Sequence, residues 1–489
     1  MLCQPTLQQA LVVTGLALAS LSEGYIFGQM SGMINVLRAD DSPITLSENE
    51  VSWIASIINV TCIIGFAIVI VITELYGRKI TLTIVSAPVL ICWLMIYFAK
   101  DKYTILASRI IVGIAFGSVL PLIYMNVSEY VGPNKRIILV NFITCGMGCI
   151  GTMLGHILSI FLDWRNVALI GMIPTALSTI MPLFWVESPF WLANSGRYED
   201  CERSFRALHR LNESSTEELK QLINNSRQNI QKNNKNKKVL FELANSFIVF
   251  CRSKYFFRFF MIIVVISTYR VVAGKILLST LANVMIQDIT GSKNIFSFTL
   301  LVDGFALAGT TLFCFFISNA KLRPLLLISG TIANCIQIAF STLLYCFPKS
   351  VQPITTWLQI ILLALYFITV SGGPYSVLET LLSEIHPLKT KAITLFMAAT
   401  IGGVLQFLDI KVAYVFLPVI GYQGVFLVHS AIVFLCLLYM YFYLPETRGK
   451  TLQEIEMFFE HNKFHSVNVL YEPVRRRDIE TENIELLKK

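Results

Sequence analysis

The chain has 489 residues, of which 55% are hydrophobic and only 14% charged, and its mean hydropathy is +0.65. Soluble domains have about a quarter of their residues charged, and so few polar side chains could not cover this much apolar surface in water. Basic residues are concentrated in a central loop and the C-terminal tail, which argues against nucleic acid as a partner, and the apolar composition favours a lipid bilayer as the surroundings.

Twelve apolar runs are each long enough to cross a bilayer as a helix, which takes about 20 residues. The first six lie at 8–30, 51–73, 80–99, 103–125, 137–160 and 166–186. The other six lie at 256–286, 295–318, 325–346, 354–382, 392–419 and 424–444. The sequence therefore predicts an all-α membrane protein with twelve transmembrane helices in two halves of six, at 1–192 and 256–446.

A polar segment at 193–255 separates the halves, and a polar tail follows at 447–489. Apolar residues recur at intervals of three and four within 198–231, which predicts two or three short amphipathic helices there. Repeated halves around a polar linker are typical of membrane transporters.

Basic residues favour one side of the predicted helices. The turns on that side contain Arg78, Lys79, Lys135, Arg136, Lys321, Arg323, Lys389 and Lys391, whereas the first loop on the other side is mainly acidic. Because Lys and Arg are enriched in cytoplasmic loops, we expect both termini in the cytoplasm and a multi-pass protein of the cell membrane.

Charged motifs recur at the ends of the predicted helices on the same side. They are ELYGRK (74–79), SEYVGPNKR (128–136), VESPFWLANSGR (186–197), SEIHPLKTK (383–391) and LPETRGKTLQEIE (444–456). Together they resemble the sugar porter branch of the major facilitator superfamily. Within that branch the chain is similar to insect facilitated trehalose transporters, partly because Thr144 follows Arg136 by eight residues, where mammalian glucose facilitators have Gln.

The resemblance implies the major facilitator fold and a small-molecule solute as the partner. The sequence contains no nucleotide-binding glycine loop, no cluster of metal ligands and no evident nucleophile–base pair. We therefore expect neither an enzyme nor a bound cofactor or metal.

By the same resemblance, the motif charges form a gating network that closes the cytoplasmic mouth. Its expected members are Glu74, Arg78, Glu129, Arg136 and Glu187 in the first half, and Arg323, Glu384, Lys391, Glu446 and Arg448 in the second. Two halves that rock about a central site must close one mouth while the other opens, and the planar fork of Arg suits this because it binds carboxylates bidentately. The alternative is a set of ordinary interfacial charges, each contributing about 1 kcal/mol or less.

The first helix contains GYIFGQMSG (24–32), which resembles GYDTGVISG of the family. Ile26 replaces the acid of proton-coupled members, and this favours facilitated diffusion. Glu23 lies three residues earlier, and Arg109 stands where such acids have a basic partner. We expect a Glu23–Arg109 pair with a structural role.

The stretches that bind sugar in the family have changed. A helix 7 motif close to QQLSGIN becomes STYRVVA (267–273), PIPW of helix 10 becomes SVLE (376–379), and an Asn-Trp pair of helix 11 becomes Gly402-Gly403. Charged side chains appear at membrane depth instead, including Asp409 and Lys411. The candidate substrate-binding residues are Thr144, Ser267, Thr268, Arg270, Lys275, Ser371 and Glu379.

Two interpretations of these charges remain open. Arg270 or Lys275 pairs with Glu379 and closes the bundle, or the charges bind an anionic or zwitterionic ligand, since charges within membranes usually pair or face a cavity. The leading hypothesis for function is uniport of trehalose or a hexose by alternating access. The alternatives are a carrier of a charged organic solute and a receptor or scaffold that has kept the fold.

Overall fold

The computed structural model describes residues 7–38, 44–131, 133–208, 213–232, 252, 256–291, 295–316, 320–347, 353–385 and 391–446. All regular structure in these ranges is helical. The first half contains α1 (Leu7–Leu37), α2 (Glu48–Tyr97), α3 (Lys102–Tyr130), α4 (Pro133–Asn141), α5 (Gly148–Phe161) and α6 (Trp164–Ile180). A π-helical segment, Phe142–Met147, joins α4 to α5.

Three short helices follow the first half: α7 (Pro189–Asn194), α8 (Tyr198–Leu208) and α9 (Glu213–Lys232). The last two lie in the segment that was predicted to form short amphipathic helices. The second half contains α10 (Phe256–Val272), α11 (Lys275–Thr290), α12 (Phe296–Phe316), α13 (Leu322–Cys346), α14 (Pro353–Gly372), α15 (Pro374–Glu384) and α16 (Lys391–Tyr443).

Side-chain caps define the start of two membrane helices. Ser47 and Glu50 form a capping box before α2, in which the Ser47 N–H donates to Glu50 Oε2 at 2.9 Å. Asp101 Oδ1 accepts the Thr104 N–H at 2.9 Å before α3. Such caps satisfy backbone N–H groups that have no partner within a helix.

Among the described residues, ten helical segments are long and apolar enough to cross a membrane. Two of them have 50 residues, which corresponds to about 75 Å of helix against a hydrocarbon core of about 30 Å. Each turns back at a glycine with positive φ, Gly77 (83°) in α2 and Gly421 (66°) in α16. Glycine accepts this conformation without a steric penalty. Counting each as two spans gives a number consistent with the predicted twelve.

Two further spans are interrupted inside the bundle. One breaks between α10 and α11 at Gly274, where φ is 74°, and the other breaks between α14 and α15 at Gly373, before Pro374. Tyr366 donates its hydroxyl to the Ala273 carbonyl at 2.8 Å, which satisfies an acceptor at the first break. The positive N-terminal ends of α11 and α15 consequently lie within the protein.

The two ends of the bundle differ in how closely the halves pack. We call the end with Arg78, Glu187 and Glu446 the motif side and the end with Arg38 and Glu48 the far side. Toward the far side one apolar cluster contains residues of both halves, among them Met30, Ile34, Ile54, Leu277, Leu281, Ile410 and Tyr414.

Polar and aromatic contacts reinforce the far side. The Asn283 N–H donates to Ser31 Oγ at 3.0 Å, and Lys411 Nζ donates to Asn49 Oδ1 at 2.8 Å. Lys411 Nζ also lies 4.4 Å from the ring centroid of Trp53. On the motif side, the described members of the cluster that includes Val12, Leu122 and Trp185 all belong to the first half or to α8. The described halves are therefore joined most extensively toward the far side.

Candidate functional site

A buried ion pair lies between the two halves at the interrupted helices. Arg270 of α10 donates from Nε to Glu379 Oε1 of α15 at 2.6 Å. Tyr124 of α3 donates its hydroxyl to Glu379 Oε2 at 3.0 Å. Since Tyr124 belongs to the first half, this carboxylate links the halves while it neutralises a charge within the membrane.

Lys275 lies beside this pair but has a different partner. It is the first residue of α11, and its Nζ is 4.3 Å from the ring centroid of Tyr375. The guanidinium carbon of Arg270 lies 5.7 Å from the same ring. Cations are attracted to aromatic faces at these distances. Among the described residues no carboxylate lies within 4.0 Å of Lys275 Nζ, so Arg270 is the residue that pairs with Glu379.

The remaining substrate-binding candidates lie on neighbouring segments. Thr144 is in the π-helical segment, and its hydroxyl donates to the Val140 carbonyl at 2.8 Å. Ser267 is buried and Thr268 half-buried, both on α10. The Ser371 hydroxyl is buried at the break between α14 and α15 and has no hydrogen-bond partner among the described residues. Arg270, Lys275 and Glu379 are the candidates that the structure brings together.

Gly402 and Gly403 show why a larger aromatic pair is absent from α16. A Cβ on Gly403 would lie 2.7 Å from the Asn59 carbonyl oxygen and 3.1 Å from Cys62 Sγ, both on α2. A Cβ on Gly402 would lie 3.9 Å from Arg270 Nη1. The glycine pair allows α16 and α2 of opposite halves to approach closely, and a Trp side chain at Gly403 does not fit.

The motif charges of the first half form one cluster. Arg78 Nη2 lies 2.9 Å from Glu129 Oε1, and both side chains are largely buried. Glu187 Oε1 accepts the Arg78 N–H at 2.8 Å and the Lys79 N–H at 3.2 Å. Glu74 is half-exposed and 3.9 Å from Arg78. Arg136 donates to the Ser128 carbonyl at 2.6 Å.

The second half repeats part of this arrangement. Glu446 accepts the N–H groups of Leu322 and Arg323, each at 3.1 Å, and the Arg323 side chain donates to the Tyr441 carbonyl. Glu446 thus places its carboxylate at the N-terminal end of α13. Glu187 does the same at the start of the part of α2 that follows Gly77. The helix dipole favours negative charge at both positions. The two halves therefore share this capping geometry, although the residues around the two carboxylates differ.

The described gating candidates form two separate clusters, each within one half. The expected network across the halves is not formed among the described residues in this conformation. Glu384 ends α15 and Lys391 begins α16, but their side chains lie outside the described part of the chain, as does Arg448 entirely.

A comparison with known protein families identifies the family of this chain. The model of a family described as "Sugar (and other) transporter" matches residues 12–459. The chain belongs to this family. Sugar transporter ERD6-like 6 of Arabidopsis thaliana is 26% identical over 91% of this chain and 88% of its own length. Facilitated trehalose transporter Tret1 of Polypedilum vanderplanki is 23% identical over 92% of this chain and 87% of its own length.

Solved structures of the xylose transporter XylE have the same fold. The proton:xylose symporter XylE with bound 6-bromo-6-deoxy-D-glucose superimposes with a TM-score of 0.73 at 19% identity, over 92% of this chain and 99% of that one. Inward-open XylE from E. coli gives a TM-score of 0.70 at 19% identity, over 91% and 99%. This member of the sugar transporter family is therefore a multi-pass membrane protein with the major facilitator fold, and it is a transporter rather than an enzyme.

The predicted Glu23–Arg109 pair is wrong for this transporter. Arg109 Nη2 instead donates to Gln29 Oε1 at 2.7 Å, and both side chains are fully buried. Gln29 lies six residues beyond Glu23 on α1, which is about 9 Å along the helix axis. Glu23 is therefore too far along the helix to reach Arg109. The other two membrane charges also have partners: Asp409 lies 3.0 Å from His429, and Lys411 contacts Asn49.

Two aromatic residues of the site were not predicted. Tyr375 follows Gly373 and Pro374 directly, so the helix break was a signal that a side chain there faces the interior. Tyr124 had no local signal because its hydroxyl meets a carboxylate 255 residues away in sequence.

The ion pair gives a stability prediction. Arg270→Gln and Glu379→Gln should each lower the apparent melting temperature of the purified protein, because each leaves one buried charge unpaired. The double variant should lose less than the sum of the two, since residues in contact are energetically coupled. Thermal unfolding in detergent measures this. Tyr124→Phe is the control and should have a smaller effect, and additive losses would show that the two charges act independently.

Proposed function

We propose that this transporter carries a small sugar such as trehalose or a hexose by facilitated diffusion, through alternating access. The observation that carries the proposal is the position of the Arg270–Glu379–Tyr124 contact. It joins the halves where two helices are interrupted, and such breaks mark solute sites in transporters built from repeats. The names of the relatives, which include trehalose and glucose transporters, support a sugar as the solute.

The chemistry of the site is compatible with a polyhydroxylated solute. Arg270, Lys275 and Tyr124 carry hydrogen-bond donors, and the carboxylate of Glu379 is an acceptor. Tyr375 supplies an aromatic face beside them. These groups provide the donors, acceptor and apolar surface that the lost amides and Trp supply in other members of the family.

Uniport is favoured by the environment of the first helix. Ile26 is buried where proton-coupled members carry an acid, and Arg109 has an uncharged partner in Gln29. In this region α1 and α3 therefore place no carboxylate against Arg109 that could take up and release a proton beside the fixed positive charge.

We further propose that the protein lies in the cell membrane. Its motif side would face the cytoplasm, with both termini on that side. The bias of Lys and Arg toward this side supports the orientation. Asn212 lies in a glycosylation sequon of the central loop. Glycan attached there in eukaryotic cells would contradict the orientation.

A second candidate function is transport of an anionic solute, such as a sugar acid. The specific observation in its favour is Lys275, which has no carboxylate partner among the described residues and begins a helix whose positive end lies inside the bundle. Both features attract a negative group.

Uptake into proteoliposomes distinguishes these functions. We expect saturable uptake of radiolabelled trehalose or glucose that a protonophore does not reduce. For an anionic solute, glucuronate uptake should exceed neutral sugar uptake and should be lost in Lys275→Met, because the cation is removed while most of the side-chain volume is kept. Solute-dependent fluorescence without any flux would instead identify a receptor and contradict transport.

The acid caps of the motif side give a gating prediction. Glu187→Gln should slow uptake severalfold while solute binding survives, because Gln retains an acceptor oxygen but loses the charge at the helix end. Glu446→Gln, at the corresponding place in the second half, should have an effect of similar size. Uptake and equilibrium binding measured on the same preparations test this. Unchanged flux in both variants would leave the carboxylates with a structural role only.

A further inference from the structure

A second buried ionisable pair connects the halves one turn along α11 from Lys275, on the way to the far-side contact of Asn283 with Ser31. His156 of α5 places Nδ1 2.8 Å from Asp303 Oδ2 of α12 and Nε2 2.7 Å from the Ser279 carbonyl oxygen of α11. The His156 side chain is 1% exposed and that of Asp303 is 13% exposed. The histidine belongs to the first half, and both of its partners belong to the second.

The hydrogen bonds fix the number of protons at this site. A backbone carbonyl can only accept, so Nε2 of His156 must carry a hydrogen. The contact between Nδ1 and Asp303 requires another hydrogen, located either on the imidazole or on the carboxyl group. The pair therefore holds one proton more than a neutral imidazole together with a free carboxylate, whichever residue carries it.

Among the described residues, Asp303 is the charged residue whose side chain contacts the imidazole of His156. The backbone of α1 approaches that of α5 at Gly28, where an added Cβ would lie 2.9 Å from the backbone nitrogen of His156. Other ionisable groups on the helices packed against α5 have different surroundings. Tyr25 donates to Val167, Arg165 donates to Ala99, Lys275 lies over Tyr375, Cys145 lies 3.7 Å from the Thr144 hydroxyl, and Glu23 lines a cavity with Ser86 and Ser178.

We propose that His156 and Asp303 form a proton-binding site of the closed far side, so that opening of the far side releases one proton. Opening requires the halves to separate there. Separation then moves the Asp303 carboxyl group and the Ser279 carbonyl group away from the histidine. A solvated histidine has an ordinary pKa of about 6.5 and a solvated aspartate one of about 3.9. At neutral pH the separated residues therefore hold one proton fewer than the pair.

The direction of the pH dependence follows from linkage. The closed far side binds more protons, so low pH favours it and rising pH favours opening, by up to about tenfold per pH unit above about pH 6.5. Below that value the separated histidine is protonated as well, and the dependence fades. The proton enters and leaves on the far side, so the site makes opening sensitive to pH there without carrying a proton across the membrane, as uniport requires.

Trp53 provides a probe of far-side opening that needs no solute. Its ring contacts Lys411 and lies 5.6 Å from the Phe407 ring, both in the second half, so opening changes its surroundings. The difference in fluorescence between the protein and Trp53→Phe isolates its signal. In lipid nanodiscs the closed-state signal should decrease as pH rises above about 6.5.

Asp303→Asn is the decisive variant. Its amide donates to Nδ1 of a neutral His156, so the contact is kept without the additional proton, and the pH dependence should disappear. Asp409→Asn is the matched control, because Asp409 pairs with His429 within α16 of a single half; it should titrate like the unmodified protein. Should Asp303→Asn fail to fold, His156→Gln should likewise lose the titration above about pH 6.5, because a glutamine amide does not titrate and its NH2 group can donate to the carboxylate of Asp303. A titration that is unchanged in folded Asp303→Asn or in folded His156→Gln, or that is lost in Asp409→Asn, would overturn the proposal, as would a Trp53 signal that does not change with pH.

Discussion

Charge within a membrane bundle is costly unless it finds a partner, and the pairing of Arg270 with Glu379 at the centre of this protein follows from that cost. An unpaired charge at membrane depth costs about 2.5–3.5 kcal/mol even on insertion scales. Arg270 and Glu379 avoid this cost by pairing at 2.6 Å. The carboxylate also accepts from Tyr124, and Gly402 leaves room beside the guanidinium. An ion pair therefore lies at the interrupted helices between the two halves.

The motif side has the same capping geometry in both halves. Glu187 and Glu446 cap equivalent helix ends in the two halves, although the residues around them differ. This capping needs only a carboxylate and two backbone N–H groups, and every residue except proline supplies an N–H. The surrounding side chains are thus free to change while each half retains an electrostatically fixed helix end. Rigid halves of this kind are what rocking motion about a central site requires.

The sequence predicted the fold more completely than it predicted the contacts of the site. Apolar runs gave the helices because crossing a bilayer sets their length, and the runs 51–73 and 80–99 anticipated the reversal at Gly77. The sequence offered two pairings for Glu379, and only the structure distinguishes Arg270 from Lys275. The Glu23–Arg109 prediction failed through an offset along α1. His156 and Asp303 were missed because 147 residues separate partners that meet only between the halves.

Alternating access requires the far side to open during transport. Cross-linking across the far-side contact tests it most directly. The variant with Asn49→Cys and Lys411→Cys, treated with a short bis-maleimide, should lose uptake, whereas each single variant treated in the same way should retain it. Mass spectrometry confirms that the link has formed. Uptake that persists in the cross-linked protein would contradict alternating access through the interface described here.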